Sequence, residues 1–196
     1  MKGKEKREEK IRAALVEGME LRQRLMDDSF FQGLIRAIES MVQALKRGNK
    51  ILIFGNGGSA AHAQHMAAEL VNRFLKNRQP FAALALTTDT SILTSISNDD
   101  DFTEVFARQI SALGRPGDVA VAITTSGRSR NILRGLEEAR RIGLLTVGLT
   151  GGNGQEVNPL LDHSLHVPHG STPRVQEMHT TMIHILCELI EDELAD

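Results

Sequence analysis

Residues 50–59, KILIFGNGGS, decide how the rest of the chain is read. A short apolar run from Lys50 to Phe54 ends at Gly55 and gives way to an Ala-rich helical pattern from Ala60 to Phe74. The same design returns at 118–129, where DVAVAI runs into TTSGRS ahead of a helix over about 129–142. It returns again where Leu144–Leu149 ends in TGGNG. Phe81–Leu86 and His163–Val167 read as two more strands, the second weaker, and residues 90–112 carry helical patches. Short apolar strands alternating with helices predict an α/β fold, a doubly wound parallel sheet covered on both faces. Such sheets bind ligands at the carboxyl ends of their strands. Here those ends carry loops of small residues.

Outward from this frame, residues 29–47 repeat apolar residues at helical spacing (Leu34, Ile35, Ile38, Met41, Val42, Leu45) until Gly48 stops them. Residues 1–26 read as a charged amphipathic helix, a solvated start rather than an interaction arm. The expectation is one domain over 1–196, with 1–48 a helical extension and 49–196 the α/β core. A last helix over about 173–194 carries the stripe Met178, Met182, Ile185, Leu186 and Leu189, widened by Ile183, Cys187 and Ile190. An arc that wide suggests burial on several sides, hence a subunit interface and an obligate oligomer.

Composition narrows the function classes. The 196 residues carry a net charge of −2, no Trp or Tyr and seven Phe, so neither a strongly basic groove nor a base-stacking platform is expected, and nucleic acid is not an expected partner. One cysteine, Cys187, excludes an intrachain disulfide framework and any CxxC motif. No stretch has the roughly 18 apolar residues of a membrane span. The N-terminal MKGKEKREEKIRAALVEGM lacks the apolar region of a secretory leader. A cytoplasmic protein that handles a small molecule, with no membrane partner, is the expectation.

Three constellations could carry chemistry. In Gly55-Asn-Gly-Gly-Ser59 the glycines would let backbone approach a ligand, with the following helix offering N–H groups to an anion. A tight structural turn explains the same residues. The loop is not GxGxxG and no acidic residue ends a second strand about 20 residues on, so a dinucleotide fingerprint is not supported. Thr124-Thr-Ser-Gly-Arg-Ser129 places four hydroxyls between a strand and a helix start. A helix N-cap would use one hydroxyl and leave three unexplained, so a phosphate cradle is favoured. On helix 60–74, Ala63, Met66, Ala67 and Leu70 form the apolar arc, opposite His62, His65, Glu69, Asn72 and Arg73. A solvated face with a Glu69–Arg73 pair, or an imidazole and carboxylate on one metal, both fit. Gln176 and His184 lie near the edge of the last helix's arc, roughly 12 Å apart along its axis.

Taken together, GNGGSAAHAQHMAAELVNRF, LTTDTSILTSISNDDDFTEVFARQ, GDVAVAITTSGRSRNI and PRVQEMHTTMIHILCELIE resemble the sugar isomerase (SIS) domain family over nearly the whole chain. The resemblance is strongest to its branch acting on sedoheptulose 7-phosphate. It implies a flavodoxin-like, five-stranded parallel sheet, a homotetramer with sites at subunit interfaces, and interconversion of that ketose with D-glycero-D-manno-heptose 7-phosphate for surface glycans. It further implies zinc on His65, Glu69, Gln176 and His184, with Glu69 and His184 as base and acid. Substrate contacts are implied at Asn56, Gly57, Gly58, Glu69, Asn98, Asp99 and Gln176, and a phosphate loop at Thr124, Thr125, Ser126 and Ser129. With Gln176 and His184 so far apart on one helix, the four ligands meet only if the two helices cross with the metal midway between those two residues or if a neighbouring subunit supplies one. The shared, interface site is favoured, because the last helix looks buried between chains. Pro173 stands where an acidic residue is common, and Thr124 where serine is. A non-catalytic branch that binds the bacterial replication initiator is similar in NRF and TTDT, but lacks a carboxylate and imidazole at the positions of Glu69 and His184. A sugar-phosphate-sensing transcription regulator would append a helix-turn-helix domain, for which this chain has no room.

Overall fold

The computed structural model describes residues 2–152 and 156–195, so Asn153 and Gly154 of the TGGNG segment lie outside the described residues. Five strands form the sheet: β1 (Ile51–Gly55), β2 (Ala83–Ala85), β3 (Val119–Thr124), β4 (Leu145–Gly151) and β5 (His163–Val167). Their order is β2-β1-β3-β4-β5 and every pairing is parallel. Among the described residues seven α-helices accompany them: α1 (Lys2–Arg24), α2 (Asp28–Lys46), α3 (Gly58–Val71), α4 (Thr90–Asp99), α5 (Val105–Leu113), α6 (Arg130–Arg141) and α7 (Thr172–Leu194). The expected five-stranded, doubly wound architecture is the one observed. The Ala-rich helix differs at both ends, starting two residues early at Gly58 and stopping at Val71.

Strand alternation divides the core in two. Ile51, Ile53, Val119, Val121, Ile123, Val147, Leu149, Leu165 and Val167 face α2, α3 and α7. Leu52, Phe54, Ala120 and Ala122 face α5 and α6. Fully buried strands of this kind read as continuous apolar runs because both faces are covered. The helices after β1 and β3 therefore leave on opposite faces, and the strand order reverses between those strands. A crevice opens there at the carboxyl ends.

Most of the wide apolar arc of α7 is covered within this chain. Val175, Met178, Met182, Ile183, Leu186, Cys187 and Ile190 are buried within this single chain, against α2, α3 and the sheet. Most of the apolar face of α2 is spent in the same core. Uncovered apolar side chains remain on α1, where Ile11, Leu15 and Met19 are 63%, 65% and 59% exposed, and at the edges of α2 and α7, where Ile35 and Leu189 are 43% and 39% exposed. α1 is tied to the start of α7 by Arg174, whose Nη1 donates to the carbonyl of Ala14 at 2.8 Å, and by Glu17 Oε1, 3.3 Å from His169 Nε2.

At the amino end of β3, buried Asp118 accepts hydrogen bonds from the Lys50 amide (3.0 Å), Asn49 Nδ2 (3.1 Å) and the Arg115 amide (2.9 Å), and pairs with the Lys50 ammonium. Burial pushes its carboxyl up, but these donors together outweigh it and hold it below the ordinary value of 3.8. A carboxylate so depressed adds stability above its ordinary value, and that stability is lost as the pH falls through the folded value. Asp118→Asn is expected to lower stability near pH 7 and to flatten its decline between roughly pH 4 and pH 2. Urea denaturation of both proteins across that range measures it.

Candidate active site

The crevice is bordered by the turn after β1 and the turn after β3. Gly57 has φ +56° and ψ −120°, a conformation that favours glycine. A Cβ on Gly55 would meet backbone, Ser59 O at 2.8 Å and Ile123 O at 2.9 Å; one on Gly58 would collide with the Gln176 amide. Two of the loop's three glycines are thus demanded by the turn, and the third by the approach of a side chain from α7. The two turns are laced together by a reciprocal amide pair, Asn56 and Asn131, each Nδ2 donating to the other's Oδ1 at 2.9 Å.

In the second turn, Thr124 Oγ1 accepts from the Gly127 amide at 3.1 Å, and Gly127 sits at φ +67°. Ser129 holds the N-cap position of α6, yet its hydroxyl makes no capping bond. The plain capping explanation is therefore set aside for Ser129. The first amides of α6 thus have no side-chain cap from Ser129, the condition under which a helix start can receive an anion.

α3 and α7 pack against each other and bring the titratable residues together. His65 Nε2 lies 2.8 Å from His184 Nε2, one ring donating to the other, with ring centroids 5.1 Å apart. Glu69 Oε1 is 3.7 Å from His65 Nδ1, so the carboxylate pairs with His65 and not, as the helical spacing allowed, with Arg73. Arg73 lies past the helix end, in the segment after Val71. His62 Nε2 is 3.1 Å from Thr180 Oγ1, which donates to the carbonyl of Gln176. His179 is fully buried and its Nε2 donates to the carbonyl of Thr150 at 3.1 Å. Burial is the main cause that pushes its pKa down to about 4, so it stays neutral and pins α7 to the end of β4.

Of the residues expected to form the site, His65, Glu69 and His184 converge, and Gln176 abuts Gly58. Asn98 and Asp99 lie exposed in the last turn of α4, with Asn98 Nδ2 donating to Asp99 Oδ1 at 2.8 Å. For a metal, the donor types suit zinc: two imidazoles plus carboxylate and amide oxygens. The imidazole pair meets inside one chain, so these two donors need no second subunit. Glu69 lies on the far, Nδ1 side of His65, and among the described residues no three His, Cys, Asp or Glu side chains are grouped to hold an ion.

The SIS domain family model matches residues 19–151. The chain belongs to the SIS domain family. Among its SIS relatives is the phosphoheptose isomerase of Aquifex aeolicus, 47% identical over 188 residues, covering 96% of this chain and 98% of that protein. The phosphoheptose isomerase of Desulfovibrio desulfuricans is 58% identical over 147 residues, covering 75% and 70%. In structure the chain is similar to phosphoheptose isomerase from Neisseria gonorrhoeae, with a TM-score of 0.89, 41% identity and coverage of 94% and 98%.

Sequence reading did not single out Asn131, His179, Phe74, Arg78 or Glu191. Asn131 stood two residues beyond the hydroxyl loop, where its polarity in a helix's first turn was the available sign. The other partnerships span far-apart segments and leave no local signature.

The two glycines test the turn. Gly55→Ala forces backbone to shift and is expected to cost about 1–3 kcal/mol. Gly58→Ala need displace only the tip of Gln176 and is expected to cost less. Denaturant titration of the two variants gives the comparison, and equal losses would refute it.

Proposed function

We infer that this chain is a phosphoheptose isomerase, interconverting sedoheptulose 7-phosphate and D-glycero-D-manno-heptose 7-phosphate on the way to heptose for surface glycans such as lipopolysaccharide. The observation that carries this reading is the convergence of Glu69, His65 and His184 on α3 and α7, with a hydroxyl-lined helix start at the carboxyl end of the neighbouring strand β3. Named relatives at 45–58% identity support it.

The phosphate binds the amides at the start of α6 with the hydroxyls of Thr124, Thr125, Ser126 and Ser129. That remote binding energy holds the reacting carbons in place. Glu69 takes the proton from C1 of the ketose; the C1–H electron pair becomes the C1–C2 double bond of an enediol and the carbonyl oxygen O2 gains a proton. In the second half O1 loses its proton, C1 becomes the aldehyde carbon, and Glu69 returns its proton to C2. One carboxylate over a planar enediol reaches both carbons. His184 moves the protons on the sugar oxygens, and opens the ring, since imidazole gives and takes protons near neutral pH. Asn56, Gly57, Gly58 and Gln176, with Asn98 and Asp99, contact the sugar.

Zinc is proposed on His65, Glu69, Gln176 and His184, where it would serve either as a Lewis acid on the sugar carbonyl or as a structural ion at a subunit interface. A tetramer is proposed because Ile11, Leu15 and Met19 of α1 lie uncovered, and association would remove that apolar area from water. The cytoplasm is the proposed location, in keeping with a phosphorylated substrate; no described helix is long and apolar enough to cross a membrane. An initiator-binding role is not favoured, because a binding module has no use for a converging carboxylate and imidazole pair.

Glu69→Gln keeps the volume but cannot accept the proton, and is expected to lower turnover at least about 100-fold with folding unchanged. Following aldoheptose phosphate by NMR with purified protein tests both the activity and the base; turnover above a tenth of wild type removes Glu69 from that role. Light scattering with elemental analysis tests the rest. A tetrameric mass with zinc near one per chain is expected, and His184→Ala should lower both zinc and turnover. A monomeric mass overturns the tetramer, and full activity in metal-free protein overturns the metal's role.

A further inference from the structure

We propose that Arg78, Glu191 and Phe74 are positioning residues that hold Glu69 and His184 in place relative to each other. The proposal rests on the isomerase reading for the roles of those two groups. Beyond the end of α3, residues 72–80 run without regular secondary structure. Glu191, in the last turns of α7 and 1% exposed, gathers this segment: its carboxylate accepts from the amides of Phe74 (3.0 Å), Leu75 (2.6 Å) and Lys76 (2.8 Å) and from Arg78 Nε (2.8 Å). The Arg78 side chain is as buried as its partner's and lies over the Phe81 ring, 3.8 Å from the centroid.

Two links run from this pair to the chemistry. The last carbonyls of a helix have no partner within it and carry its negative end. Here Arg78 supplies the missing donors, Nη2 to the carbonyl of Glu69 at 2.9 Å and Nη1 to that of Leu70 at 3.0 Å. The backbone that carries Glu69 is thus fixed by a cation. The second link is Phe74, whose amide Glu191 holds and whose ring lies 5.6 Å from the His184 ring at an interplanar angle of 33°. One buried ion pair therefore anchors the carboxylate's helix end and packs a ring against the imidazole. A misplacement of about 1 Å at reacting groups can cost on the order of 100-fold in rate, so such anchoring has a kinetic consequence.

The test is the double variant Arg78→Met/Glu191→Met, since replacing both members of a buried pair with apolar residues is tolerated far better than removing one. The expected result is a folded protein whose kcat on sedoheptulose 7-phosphate falls at least about tenfold, with KM changed less than about threefold because the phosphate loop is remote. Amides 74–76 should lose protection from hydrogen exchange. The His184 ring resonances should move toward the positions they take in Phe74→Ala, which removes the neighbouring ring. A folded double variant with wild-type kcat, or with unchanged exchange and His184 resonances, overturns the proposal. If the double variant does not fold, Phe74→Leu decides: a fall in kcat of about tenfold at constant KM supports the proposal, and wild-type kcat overturns it. If the wild-type protein does not turn over sedoheptulose 7-phosphate, the isomerase reading fails, and the positioning claim stands or falls on exchange and the His184 resonances alone.

Discussion

Parallel pairing of β1 with β3, in register from Ile51 opposite Val119 to Gly55 opposite Ile123, is the constraint on which the site depends. Parallel neighbours must be joined by crossovers, and here the two crossovers leave on opposite faces. α3 goes down one side of the sheet and α6 down the other, so their first turns part over a gap that neither covers. The helix starts flanking that gap present unpaired amides from two directions. Asn56 and Asn131 keep the gap at a set width by bonding across its floor. The phosphate end of a ligand and its reacting end can then be served by different strands.

The third contributor arrives from far along the chain. α7 follows the edge strand β5 and returns across the same face as α3, and its contact with α3 converts two solvated-looking polar edges into a meeting of imidazoles. Buried polar groups accompany this helix because its backbone neighbours need donors or acceptors. His179 serves the carbonyl of Thr150, and Glu191 serves three consecutive amides. An apolar residue in place of His179 would leave the Thr150 carbonyl without its donor, and one in place of Glu191 would release amides 74–76 from the helix to water.

The strands and most helix limits were legible because continuous apolar runs and 3.6-residue periodicity are local properties of the chain. His163–Val167 is read to the residue despite its weak pattern. Where periodicity alone was available the reading ran over: it carried the Ala-rich helix to Phe74, but three backbone bonds from Glu191 draw residues 74–76 out of the helix. The width of α7's apolar arc was legible, but not that most of its cover is this same chain, since an arc shows how much area is covered and is silent on what covers it. His65 and Glu69 could be grouped by spacing. Their meeting with His184 was implied only by the family resemblance and not by spacing, because it depends on how α3 and α7 pack, with His65 and His184 119 residues apart in sequence.

Cys187 lies on the buried side of α7, with no exposed area, and burial above all, with Glu69 nearby, pushes its thiol up to about 12. Only a thiolate attacks disulfides and alkylating agents, so the native thiol is chemically silent. It gains both water and reactivity only when α7 lifts from the sheet, an opening that also parts His184 from His65. As the single thiol in the chain, it makes the rate of alkylation under native conditions a clock for the momentary disassembly of the site, read without substrate and without any label added by mutation.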